Sequence, residues 1–88
     1  MNGQFEALKK QLEKEEWPSV YFFKFISPSE NATIAKITSL FKTESKVTLR
    51  ASGKGNYTSI SVKEVMISPS EVISIYEKVA SFKGVIIL

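Results

Sequence analysis

The run Ser52-Gly53-Lys54-Gly55-Asn56 places a cation beside backbone N–H groups, and its two glycines can take positive φ. A concavity of that kind can hold an anion. It is not a nucleotide-binding P-loop, because the spacing differs and a strand-like run follows where a helix is needed. The same residues also suit a plain hairpin turn carrying a surface lysine. A second basic set is Lys24, Lys46, Arg50 and Lys63. These four lie in strand-like runs, where a side-chain period of two can gather them on one sheet face. Such a face attracts phosphates, and nucleic acid is its natural polyanion. Glu64 is the odd carboxylate, because it interrupts an apolar run. A β-bulge near Lys63–Glu64 that turns it outward accounts for it better than a catalytic base does.

The rest of the composition narrows the chemistry. The 88 residues contain no His, Cys or Asp, so Glu is the one side-chain carboxylate type. Zinc sites built on His or Cys, His-based triads, cysteine nucleophiles and aspartyl dyads are excluded. No acid–base set converges in the pattern. The expectation is a non-enzymatic protein with no catalytic residues, no metal site and no cofactor. The net charge is +3, and residues 43–63 alone carry Lys46, Arg50, Lys54 and Lys63 against Glu44. The basic excess therefore sits on one hairpin and its flanks.

No stretch reaches the ~20 apolar residues of a membrane span. Met1 to Glu16 is polar and of mixed charge, unlike a signal peptide. Zero cysteines removes a disulfide framework. The expected location is cytoplasmic, which leaves the sequons at Asn31 and Asn56 without a role.

These residues need elements to hold them. Residues 4–16 read as a leading helix with the narrow stripe Phe5, Leu8 and Leu12. Pro18 stops it by about Glu16, and Trp17 is expected to anchor the junction. Ser19 to Ile26 reads as a central strand, with Tyr21, Phe23 and Phe25 on one face. The pentapeptide Ile26-Ser27-Pro28-Ser29-Glu30 recurs as Ile67-Ser68-Pro69-Ser70-Glu71. Each copy has a Ser suited to the N-cap, Pro at N1 and Glu at N3. The first helix then runs to about Lys42, with Asn31 as an alternative, later cap. Ile34, Ile37, Leu40 and Phe41 form its apolar side. Two alternating strands flank the glycine run, over 45–51 and from Tyr57 onward. A second helix over 69–82 buries Val72, Ile73, Tyr76, Val79 and Ala80. Gly84 follows it, and 85–88 makes a last short strand.

The order is β-α-β-β-α-β behind a leading helix. Two right-handed halves of this kind interleave into a ferredoxin-like α+β sandwich, a four-stranded antiparallel sheet with helices on one face. The whole chain forms a single domain, with 1–17 as leading helix and junction. Lys46, Thr48, Arg50, Ser59, Ser61 and Lys63 should face away from the helices. Phe22 and Lys24 join them if the aromatic trio faces the core. An RNA-binding sheet face wants two or three stacking aromatics. Here Phe22 and Tyr57 are the candidates, short of the aromatic-rich pattern. The leading helix could also cover part of this face.

The hairpin Lys54-Gly55-Asn56-Tyr57-Thr58-Ser59-Ile60 resembles that of the YbeD-like bacterial proteins, domain-of-unknown-function family 493. The leading helix, Trp17-Pro18, Phe22-x-Lys24-x-Ile26, Tyr76 and Gly84-Val85 extend the likeness along nearly the whole chain. Departures are Trp17, where the family usually has Phe, and Ser27, where it often has Gly. The resemblance implies an ACT-like regulatory fold in a small cytosolic bacterial protein, in a group sometimes labelled lipoic-acid regulatory. It maps a shared ligand-binding motif onto Lys54, Gly55, Asn56, Tyr57 and Ser59 and carries over no catalytic residue. The leading functional expectation is a regulatory or interaction domain binding a small ligand or protein partner. Nucleic-acid binding through Lys24, Lys46, Arg50 and Lys63 is the alternative. The uncovered face and sheet edges also leave room for a homodimer.

Overall fold

The computed structural model describes residue 3 and residues 5–88. Met1, Asn2 and Gln4, where the domain and its leading helix were expected to begin, lie outside the described residues. The elements run α1 (Glu6–Leu12), β1 (Ser19–Pro28), α2 (Asn31–Thr38), β2 (Lys46–Ala51), β3 (Tyr57–Met66), α3 (Pro69–Ala80) and β4 (Ile86–Ile87). The sheet order is β2-β3-β1-β4, and every pairing is antiparallel. This is the ferredoxin-like α+β arrangement, with β1 and β3 at the centre.

The core lies between one sheet face and the helices. Phe23, Phe25, Ile60 and Val62 project from the central strands and are fully buried against Ile37, Phe41, Val72, Tyr76 and Val79. The aromatics interlock, with the Tyr76 ring edge-on to Phe23 at 5.5 Å. Truncating a ring such as Phe23 to Ala would cost about 3–5 kcal/mol.

α1 is shorter than its pattern suggested. It closes at Leu12 rather than Glu16, and the Trp17 indole N–H donates to the Leu12 carbonyl at 2.8 Å. Trp17 thus satisfies a helix-end acceptor and fixes the turn into β1. The helix lies on α3, where Phe5 stacks on Tyr76 at 5.6 Å and Leu12 enters the core. It therefore leaves the open sheet face uncovered.

The repeated pentapeptide adopts two structures. Ser68 caps α3 with Pro69 at N1, and its hydroxyl accepts the Glu71 N–H at 3.4 Å. The Glu71 carboxylate in turn accepts the Ile67 N–H at 2.9 Å, one residue before the usual capping-box position. The first copy does not start a helix. Ser27 and Pro28 stay in β1, opposite Thr58 and Tyr57. Ser27 is buried, and its hydroxyl donates to the Pro28 carbonyl. α2 begins only at Asn31 behind Glu30 and ends at Thr38, short of Lys42. Two turn-type bonds, Leu40 N–H to Ile37 and Phe41 N–H to Thr38, carry Phe41 into the core.

No bulge interrupts β3. Its register against β1 is unbroken from Tyr57 to Met66. Glu64 therefore stays on the helix side, where its carboxylate accepts from the Lys42 N–H and the Ser45 hydroxyl. The apparent slip in period arises because Val65 and Ile67 are exposed, Ile67 to 57%. α3 ends at Ala80, which is exposed, and Ile75 takes the buried place expected of it. Gly84 has φ +81°, and a Cβ there would meet Pro28 Cγ at 3.1 Å. β4 pairs over two residues only, though the Leu88 N–H still reaches the Lys24 carbonyl at 3.0 Å.

Candidate binding face

The strand register builds the face that the helices leave bare. On β1 it presents Val20, Phe22, Lys24 and Ile26. Across β3 these meet Val65, Lys63, Ser61 and Ser59, and β2 adds Lys46, Thr48 and Arg50. All four cations anticipated for an open face are therefore on it and exposed. No strand residue on this face is acidic. Glu44 and Glu64 line a hollow of about 470 Å³ at the end of the sheet, beside Lys46 and Lys63. The Glu64 carboxylate already closes the loop after α2 there, which argues against a role as a free base.

Phe22 is 69% exposed on this face, and the Lys63 ammonium lies 5.3 Å from its ring centroid. A cation above an aromatic face is weakly attracted to the ring quadrupole. Two shallow recesses mark the face. One, of about 190 Å³, is lined by Phe22, Lys46, Thr48, Ser61, Val62 and Lys63. The other, of about 500 Å³, lies toward the β2–β3 hairpin and is lined by Ile26, Arg50, Ala51, Ser52, Gly53, Tyr57 and Ser59.

The hairpin motif divides between two tasks. The Gly55 N–H donates to the Ser52 carbonyl at 2.9 Å, and Gly55 takes φ +75°. Gly53 does not adopt positive φ, so one glycine provides the left-handed turn residue. The Ser52 hydroxyl accepts the Tyr57 N–H at 3.3 Å. The Asn56 carbonyl accepts the Ser29 N–H at 3.0 Å, and the Ser29 and Thr58 hydroxyls meet at 2.8 Å. Gly55 and Asn56 thus shape the turn and strap it to the loop after β1, with Lys54 exposed just before them. Tyr57 and Ser59 instead lie on the open face with Arg50. The five motif residues do not converge on one pocket, whereas the last two join the basic set.

The buried polar groups are partnered. The Tyr76 and Tyr21 hydroxyls meet at 3.0 Å. Burial, and then the bond to Tyr21, push Tyr76 well above the ordinary tyrosine pKa. Among the described residues, no buried side-chain polar atom lacks a partner, and no three metal-capable side chains cluster. Among the same residues, no helix is long and apolar enough to cross a membrane.

Sequence reasoning placed the cations, but not the two recesses or the exposure of Val65. The signal for Val65 was the parity of an unbroken β3, which puts it on the same side as Lys63 and opposite Val20. The family model described as "Protein of unknown function (DUF493)" matches residues 13–88, starting just past α1. No curated protein and no solved structure gives a match.

Proposed function

This chain belongs to the DUF493 family of proteins of unknown function, and we propose that it is a non-enzymatic binding module. Its working surface is the open sheet face and its partner is anionic. The observation that carries this reading is the grouping of Lys24, Lys46, Arg50 and Lys63 on one sheet face with exposed Phe22, with no acidic strand residue among them. Like charges on neighbouring strands are mutually unfavourable, and an anionic partner removes that cost. Phe22, Val20, Val65 and Ile26 supply apolar contact within the basic surround, the composition of a binding surface. Any regulatory effect would then come from recruitment, without chemistry on the partner.

The ligand-binding motif contracts on this reading to Tyr57 and Ser59, which share a recess with Arg50. Lys54, Gly55 and Asn56 serve the hairpin. A homodimer packed face to face would set cation against cation, so the partner is a different molecule. The β2 edge carries Lys46 and Arg50, charges that discourage strand pairing between copies.

The test is retention on a phosphate-bearing resin at low salt. The double variant Lys24→Glu/Arg50→Glu should elute early. The control Lys36→Glu/Lys78→Glu changes net charge equally but lies on α2 and α3, so it should be retained almost like the parent. Equal loss in both variants would mean that retention follows net charge alone and that the face has no special role.

A further inference from the structure

We infer that the anionic partner is a single-stranded nucleic acid, with one base seated in each recess of the open face. This rests on the reading of that face as the working surface. The two recesses repeat one chemistry. The first combines Phe22 with Lys46, Lys63 and the Thr48 and Ser61 hydroxyls. The second combines Tyr57 with Arg50 and the Ser59 hydroxyl. Each offers an aromatic ring for stacking, cation for phosphate and hydroxyl for a base or sugar edge. A polymer that alternates a flat apolar ring with a negative charge matches that repeat.

The recesses are spaced along the strands. Phe22 and Pro28, which is the partner of Tyr57, are six residues apart on β1, about 20 Å at the usual rise. Lys24 stands between them and can meet the intervening backbone. Phe22 and Tyr57 are 69% and 49% exposed, so both rings are open to an incoming base.

The other occupants fit less well. A duplex hides its base faces in its own stack, which leaves nothing to stack on the exposed Phe22 and Tyr57 rings. An acidic protein segment would answer the cations but has no use for two separated aromatic-and-cation recesses. A second copy repeats the same charges.

Fluorescence anisotropy on the full chain tests the inference with three probes: labelled oligouridylate, an RNA duplex of equal length and labelled polyglutamate. The single strand should bind more tightly than the duplex. With four cations engaged, the log–log salt slope for the single strand should be about −3. Phe22→Ala and Tyr57→Ala should each weaken oligouridylate binding about fivefold or more and leave polyglutamate unchanged. Circular dichroism would confirm that both variants stay folded. If all three probes bind alike and the aromatic variants change nothing, the nucleic-acid inference fails while the anion-binding face stands. If none binds even at low salt, both fail.

Discussion

The Lys63 ammonium lies 5.3 Å from the centroid of the Phe22 ring, its direct cross-strand neighbour on the open face of the sheet. An apolar ring left 69% exposed in the middle of a sheet gains little from folding. Phe22 and Lys63 should therefore couple weakly in stability and strongly in binding. A double-mutant cycle with Phe22→Ala and Lys63→Ala, read by denaturant unfolding, should give a coupling of about 0.5–1 kcal/mol. The single Phe22→Ala change should leave the unfolding midpoint nearly in place.

The two copies of Ile-Ser-Pro-Ser-Glu should respond differently to the same substitution. Ser68→Ala removes the hydroxyl that accepts the Glu71 N–H and should cost about 1 kcal/mol. Amide exchange in the first turn of α3 should speed up with it. Ser27→Ala should leave the exchange of α2 unchanged, since Ser27 sits in β1 and caps nothing. Faster exchange at the start of α2 would show that the first copy is a cap after all.

Glycine substitutions should rank by φ and space. Gly84→Ala meets both a positive φ and Pro28 Cγ at 3.1 Å, so it should be the most damaging. Gly55→Ala has positive φ but open space, and should cost about 1–2 kcal/mol. Gly53→Ala has neither constraint and should be close to neutral. Chemical unfolding of the three variants checks the order.

Alkaline pH should weaken the fold through Tyr76. Burial first, and the Tyr21 hydroxyl second, raise its pKa above the unfolded value of 10.0. The folded state therefore holds that proton more tightly than the unfolded chain. The resulting stability is fully present below the unfolded pKa and is lost as pH rises from there through the folded value. In an ultraviolet pH titration, one tyrosine should ionise only well above the ordinary range. Tyr76→Phe should flatten the fall in stability at high pH.

Much of this architecture was legible because its signals are local. The alternation Val47, Leu49, Ala51 against Lys46, Thr48, Arg50 is a strand with its face already assigned. The Ser68-Pro69-x-Glu71 pattern is a helix start wherever the chain then leaves the sheet. The failures came where a partner distant in sequence decides. Ser27-Pro28 has the same cap chemistry as Ser68-Pro69, but Thr58 and Tyr57 lie across from it and hold it in β1. Beyond Met66, which faces Ser19 at the start of β1, Ile67 and Ser68 have no strand to pair with, so the cap can form. Glu64 looked displaced by a bulge because its acceptors' partners, the Lys42 N–H and Ser45 hydroxyl, come from a loop that periodicity does not place. The cations of the face could be chosen by parity alone. The recesses could not, since they depend on how neighbouring side chains stand above the sheet.

The central claim is that the open sheet face is the working surface. Amide chemical-shift mapping of the full chain titrated with inorganic polyphosphate, at low salt, tests it most directly. Perturbations should cluster at Phe22, Lys24, Thr48, Arg50, Ser61 and Lys63 and spare α2 and α3. Shifts confined to the hairpin tip at Lys54–Asn56 or to the helical side, or no shifts at all, would contradict it.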